Sequence, residues 1–312
     1  MSFQGNNDTL KTEFHILAFS ASTLGRLLLF CGILLAYFLV ISGNLLILTL
    51  VNLVSQLQNP MYFFLCNLSL LDILYISTTI PKLLYILYTN DHRMTFVACM
   101  FQLFFFISFA DSESFLLTAM AFDRYVAICL PLHYSRIMSK NICVLLAFFA
   151  WFVGAVNALI LTLSVKKLSF PKVNEITNFF CDLKALIHIS SSNTGNLSSF
   201  VTVDILLVAA FPLLLILTSY MRIILNVLKI QSSFGRQKMF SNCSSHFIVV
   251  VLYYGPPLFL YIQSSQYQDK LLSVIFVTVV PMLNPLVYSL RNQDIIRAVK
   301  KTINQQKKNI QT

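Results

Sequence analysis

Three adjacent polar side chains, Asp123, Arg124 and Tyr125, stand in the stretch MAFDRYVAIC (Met120 to Cys129), at the end of a long apolar run that begins near Phe96. An apolar helix ending there places an acid, a base and a phenol where a bilayer meets water. A charge at membrane depth costs roughly 2.5 kcal/mol or more unless it is paired, hydrated or functional. A solvated helix end with snorkelling side chains is the plainer alternative. Four further acids, Asp72, Asp111, Glu113 and Asp204, fall inside apolar runs. Asp111 and Glu113 are separated by about 200° around a helix and therefore serve different faces. Asp111 lies about 20 Å along the helix from Arg124, on a face shared with Phe106, Ile107 and Ala110, a depth that suits a cavity for a small molecule. Asp204 comes about 12 Å before Pro212 in a later run. Tyr254 and Tyr261 share one face of the run after that. The two aspartates either bias such a cavity toward cationic or hydrogen-bond-donating ligands, or are satisfied by water and by hydroxyls such as Ser108 and Thr202.

Membrane helices are required to position these groups. The chain of 312 residues is 57% hydrophobic and 11% charged, with mean hydropathy +0.75, which excludes an ordinary water-soluble domain. Leu27 to Val51 carries no formal charge and as a helix is about 37 Å long, enough to cross a bilayer with some tilt. Further runs follow at Met61 to Ile80, Phe96 to Cys129, Ile142 to Val165, Phe200 to Leu228, Phe240 to Ile262 and Leu271 to Leu290, so seven spans are expected over 27–290. The fold class expected is an all-α membrane protein, a seven-helix bundle preceded by an outer segment, 1–26. After it, 291–312 sets Ile295, Ile296, Val299 and Ile303 against Arg297, Lys300 and Lys301, the pattern of an amphipathic helix lying on the membrane.

An odd number of spans puts the chain ends on opposite sides. The side of Arg124 collects 13 of the 22 basic residues but only Asp123 and Asp294 of the 12 acids. By the positive-inside rule that side is cytoplasmic and the amino terminus is outside. Asn7 then begins a usable glycosylation sequon, while Asn67 is buried and Asn242 is on the wrong side. Of seven cysteines, Cys99 and Cys181 face the oxidising exterior, as free thiols or as a bridge across the bundle. Basic charge that would suggest nucleic acid in a soluble chain is here a membrane-orienting signal. No HExxH or GxSxG occurs and His15, His92, His133, His188 and His246 are dispersed, which argues against an enzyme. An ion-coupled transporter or channel is the alternative from another class; no internal repeat, matched broken helices or ring of like charges supports it.

Together, MAFDRYVAIC, NPLVY (Asn284 to Tyr288), Asn44, Asp72 and Trp151 resemble rhodopsin-like G-protein-coupled receptors. PMYFFLCNLSLLD (Pro60 to Asp72), KMFSNCSSHFIVV (Lys238 to Val250), YYG at Tyr253 and PMLNPLVYSLRN (Pro281 to Asn292) narrow the resemblance to olfactory receptors over nearly the whole chain. The opsin branch is disfavoured, because Leu271 to Leu290 has no lysine for a Schiff base. The resemblance implies a small odorant held by Phe106, Ile107, Ala110, Asp111, Asp204, Tyr254, Tyr261, Val274 and Val277. It also implies a heterotrimeric stimulatory G protein as inner partner, a rise in cAMP, and a plasma-membrane location in sensory cilia. A non-sensory receptor for a small amine is the alternative within the class. Asp123 is expected to hold Arg124 at rest, and Tyr125, Tyr220, His246, Asn284, Pro285 and Tyr288 to take part in switching. Glu113 is expected to turn toward Asp72. Such a carboxylate pair cannot stay doubly ionised cheaply, so it holds either Na+ or a shared proton, with no other cofactor. The resemblance further implies a disulfide between Cys99 and Cys181. Pro171 and Ser191 stand where many relatives have a second cysteine pair, so a less constrained outer loop is expected.

Overall fold

The computed structural model describes residues 13–19, 22–171, 174–229, 231–262 and 268–291; within these, the side chains of Gln56, 233–235, 237–242, 257–262, 268–272, Phe276 and 288–291 lie outside the description. Seven long helices dominate: α1 (Thr23–Leu53), α2 (Pro60–Thr89), α3 (Phe96–Cys129), α4 (Lys140–Lys166), α5 (Gly195–Leu228), α6 (Ser233–Ile262) and α7 (Gln268–Arg291). The first five are long and apolar enough to cross a membrane. In α6 and α7 the apolar stretches among described residues are shorter, Cys243–Pro256 and Ser273–Val287. Local chemistry sets the helix starts. The Ser22 hydroxyl accepts from the Gly25 N–H at 3.2 Å, Asn59 caps α2 ahead of Pro60, and Thr95 caps α3 by accepting from Ala98 at 3.3 Å. At the far end of α2, Asn90 takes the left-handed conformation (φ 59°) that terminates the helix.

Helix α2 runs nine residues past Ile80, where the sequence reading ends span two. Pro81 removes one backbone donor, but packing on α1 and α3 carries the helix through. α5 departs from regularity as well, since Leu206–Ala210 forms a π-helical turn that ends two residues before Pro212.

Helix α3 is the axis, in contact with α2, α4, α5 and α6. Its approach to α4 is closest at Gly154, where a β-carbon would meet the Ser112 hydroxyl and the Ser108 carbonyl oxygen. Buried apolar side chains form an inner cluster around Leu68, Leu117, Met120 and Ile223, and an outer one around Ile76, Leu83, Leu103 and Phe179. Large apolar side chains also face outward, among them Phe148, Phe149 and Phe152 on α4. In a water-soluble fold that exposure would be a liability; in a bilayer it is the expected outer surface.

The all-α expectation needs one correction. Strands β1 (Glu13–Ile16), β2 (Arg93–Thr95) and β3 (Glu175–Ile176) form a small sheet in the order β2-β1-β3. β1 pairs antiparallel with β2, Phe14 opposite Met94, and parallel with β3, His15 opposite Glu175. Phe14 and Ile16 point inward and are fully buried, with the Phe14 ring 6.1 Å from Phe96 and 5.3 Å from Phe170. The segment before α1 is thus tied to two loops, the α2–α3 and the α4–α5 connections. Sequence periodicity misses it because four residues are too short to register, and both partners are remote in the chain.

Cys99 and Cys181 are disulfide-bonded, with α-carbons 5.5 Å apart. Gln102 reinforces the junction: its amide nitrogen donates to the Thr78 carbonyl at 2.9 Å, and its amide oxygen accepts from the Cys181 N–H at 2.8 Å. The outer loop has further restraint beyond the bridge. The Ser169 carbonyl accepts from the Ser191 N–H and hydroxyl, both at 3.0 Å, and from the Ser190 hydroxyl at 3.2 Å, while the Ser169 N–H donates to Ser192 at 2.8 Å.

Candidate functional site

At the inner end, the Arg124 guanidinium is engaged with Asp123 through contacts of 2.6 and 3.1 Å to one carboxylate oxygen. The other oxygen accepts a 2.8 Å hydrogen bond from the Tyr134 hydroxyl, in the one-turn helix Tyr134–Ile137. Asp123 is therefore satisfied on both sides and Arg124 is turned onto it. Tyr134 was not among the sequence candidates; its partner is eleven residues back, and only the fold of the connecting turn brings them together.

One layer above, His246 on α6 joins three helices. Its Nε2 lies 3.1 Å from the Leu117 carbonyl of α3, and its Nδ1 lies 2.6 Å from the Tyr220 hydroxyl of α5. A carbonyl only accepts, so Nε2 carries the proton and Nδ1 accepts from Tyr220. Tyr125 packs at the edge of this inner core. The side chain of Tyr288 lies outside the described residues.

Midway up, Asp72 and Glu113 are both buried and near enough to interact electrostatically. The Asn284 amide donates to both Asp72 oxygens at 3.1 Å. Asn44 donates to the Pro281 carbonyl at 3.3 Å, holding α1 against the irregular part of α7 that contains Pro281 and Pro285. Three buried oxygens, Asn44 Oδ1, Glu113 Oε1 and Asn284 Oδ1, have no hydrogen-bond partner. Such oxygen donors beside a carboxylate suit a hard cation, so the residues present fit Na+. Among the described residues, no three His, Cys, Asp or Glu side chains gather as metal ligands.

In the outer half, the expected ligand residues whose side chains are described separate into three groups. Phe106 sits between Tyr75 (ring centroids 5.0 Å) and Phe180 (4.6 Å), in the cluster that includes Ile107, Ala110, Val274 and Val277. Asp111 and Asp204 lie on the side toward α4, where the Asn157 amide donates to both, at 2.9 and 3.2 Å. Their partner is thus an amide of α4 and not the hydroxyls of Ser108 or Thr202 considered from sequence; the Thr202 hydroxyl instead donates back to the Ser198 carbonyl at 2.9 Å. The lone amide in an otherwise apolar stretch of span four was the available signal for Asn157.

Tyr254 belongs to a third arrangement. The Ser114 hydroxyl donates to the Val208 carbonyl, inside the π turn of α5, at 2.9 Å, and so accepts from Tyr254 at 2.7 Å. Its neighbour Tyr253 donates to the Ala110 carbonyl at 2.6 Å. α3, α5 and α6 are thereby linked just beneath the aromatic cluster. The side chain of Tyr261, residue Asn7 and the tail beyond Arg291 lie outside the described residues. A groove of about 540 Å³ between α2 and α3 contains none of the nine expected ligand residues.

Comparison with known proteins agrees with these features. Residues 30–306 match the family model described as olfactory receptor. The chain is 42% identical over 304 residues to rat "Olfactory receptor 1496", covering 96% of this chain and 97% of that protein. It is 41% identical over 307 residues to human "Olfactory receptor 1E1", covering 97% and 98%, and 38% identical over 301 residues to human "Olfactory receptor 2M2", covering 95% and 87%.

Proposed function

Because this chain belongs to the olfactory receptor family, we propose that it works as a seven-span plasma-membrane receptor, amino terminus outside, which binds a small odorant in its outer half and activates a stimulatory G protein. The observation that carries the proposal is the inner closure: Arg124 is held by Asp123, and Asp123 in turn by Tyr134, while His246 ties α6 to α3 and α5. A ligand wedged against Phe106, Ile107, Ala110, Val274 and Val277 favours a different packing of α5 and α6. Moving α6 breaks the hydrogen bonds of His246, opens the inner end and frees Arg124 for the G protein, with Tyr125, Tyr220, Asn284, Pro285 and Tyr288 as the switching layer. The π turn and Pro212 in α5, and Pro281 and Pro285 in α7, are where backbone hydrogen bonding is already relaxed and bending is cheapest.

In the resting state Asp72, Glu113, Asn44 and Asn284 hold Na+ or, failing that, Asp72 and Glu113 share a proton; the ion supplies positive charge that lets both acids stay ionised. Residues 27–290 form the bundle, 1–26 lie outside with Asn7 as glycan acceptor, and 291–312 form the inner amphipathic helix and tail, with sensory cilia as the site of action. Asp111 and Asp204 favour a second, narrower reading, a receptor for small amines. Two carboxylates sharing one amide donor keep acceptor capacity for an ammonium group.

A cAMP reporter in cells expressing the receptor, run beside current recordings without added G protein, tests the function. An odorant-dependent cAMP rise with no receptor-borne current is the expected result. Current without cAMP would replace the receptor reading with a channel.

A further inference from the structure

The groove between α2 and α3 is separate from the odorant-binding cluster and opens outward, toward lipid. Pro81, Ala98, Phe101 and Phe105 line it and are exposed, with Leu74 at its inner end. Along α3 the wall runs from Ala98 to Phe109, about 16 Å. One leaflet supplies about half of a hydrocarbon core of roughly 30 Å, so the groove spans one leaflet in depth.

Its outer end is polar and partly roofed. Lys82 lies seven residues before the end of α2, and its ammonium group reaches up to donate to the Arg93 carbonyl of β2 at 2.7 Å while standing 4.7 Å over the Tyr85 ring. Among the described residues no carboxylate forms an ion pair with Lys82; the nearby Asp91 is taken by Arg93 at 2.9 Å. Met94 of β2 closes the groove above. The site thus offers a one-leaflet apolar trough, a single cation with unused donors at its head, and a strand over the top.

We propose that this groove binds a long-chain fatty acid from the outer leaflet, with the carboxylate on Lys82 and the chain along Ala98, Phe101 and Phe105. Charge complementarity selects the anionic head, because a charge-assisted hydrogen bond to an ammonium group otherwise unpaired is the strong contact available. A single ammonium group, one of whose donors is already on the Arg93 carbonyl, matches the single charge of a carboxylate. Because α2 and α3 also carry Asp72 and Glu113, a bound chain acts on the spacing of the two helices that hold the buried acids.

Full-length receptor in phosphatidylcholine nanodiscs, photolabelled with a diazirine-bearing palmitate and mapped by peptide mass spectrometry, tests the site without agonist or G protein, and therefore independently of the odorant reading. Saturable labelling of the Ala98 to Phe109 wall, displaced by palmitate but not by methyl palmitate, is expected. Lys82→Gln lowers it about tenfold, Lys82→Arg retains it, and Ala98→Trp, which fills the trough without touching the charge, abolishes it. Labelling spread over all lipid-facing helices, equal displacement by the methyl ester, displacement by a phosphatidylglycerol at the same concentration, or full labelling in Ala98→Trp would each overturn the assignment.

Discussion

Replacing Asn157 by leucine removes one side chain and two hydrogen bonds at once, which makes it a sensitive probe of the outer acid pair. Its amide nitrogen lies 2.9 Å from Asp111 and 3.2 Å from Asp204. A hydrogen bond to a charged group contributes about 1.5–3 kcal/mol. Asp111 and Asp204 are both only part-buried, so the lower figure applies to each, and about 3 kcal/mol is expected for the pair. Removing the donor strands two acceptors, whereas replacing all three side chains by leucine leaves nothing unsatisfied and recovers most of the loss. The assay is thermal unfolding of purified receptor in nanodiscs at a fixed scan rate, for Asn157→Leu, Asp111→Leu, Asp204→Leu and their combinations. Scaling from large soluble domains, 3 kcal/mol corresponds to about 6–12 °C. Amine and neutral-odorant responses measured on Asp111→Asn and Asp204→Asn then report whether the same acids select ligands. A loss below about 0.5 kcal/mol in Asn157→Leu, or strict additivity across the combinations, would refute a shared network.

Gly154→Ala pushes a methyl group into the Ser112 hydroxyl and the Ser108 carbonyl, so it is expected to cost about 1–3 kcal/mol by overpacking, against a helix-propensity gain of about 1 kcal/mol, and to lower surface expression; unchanged expression and melting would show that α4 moves aside freely. Tyr134→Phe deletes the 2.8 Å hydrogen bond to Asp123 and is expected to raise agonist-free cAMP by up to about tenfold, the change given by 1.4 kcal/mol, with surface expression constant; an unaltered basal signal would show that the turn does not help hold Arg124. Asp182 caps a short outer helix by accepting from Ala185 at 3.3 Å, and burial pushes its carboxyl above the usual range. An acid whose folded pKa is raised weakens the folded state where it is ionised, so Asp182→Asn, which keeps the cap, is expected to stabilise the receptor at neutral pH. That advantage should fade as pH falls through the raised value toward the unfolded one of about 3.9; melting curves with an equal difference at both pH extremes would contradict it.

Much of this protein was readable because membranes impose harsh rules. Backbone groups in hydrocarbon must be paired within a helix, so long apolar runs identified α1 to α5 and the placement of α6 and α7, even where single acids interrupt them. Helix ends were less legible, since Pro81 ends a pattern without ending a helix whose neighbours support it. The pairing of Asp123 with Arg124 is local and could be anticipated from two adjacent residues. The sharing of Asp111 and Asp204 by Asn157, the proton order through Tyr220 and His246, and the link from Ser114 to the π turn join residues 26 to 94 positions apart. Periodicity reports which face of a helix is apolar, not which neighbouring helix that face meets. Hydrophobic runs by themselves therefore determined the helical, membrane-spanning class. Which polar groups satisfy one another, and the sheet that draws residues 13–16 onto two distant loops, was decided only when packing brought separate helices to hydrogen-bonding distance.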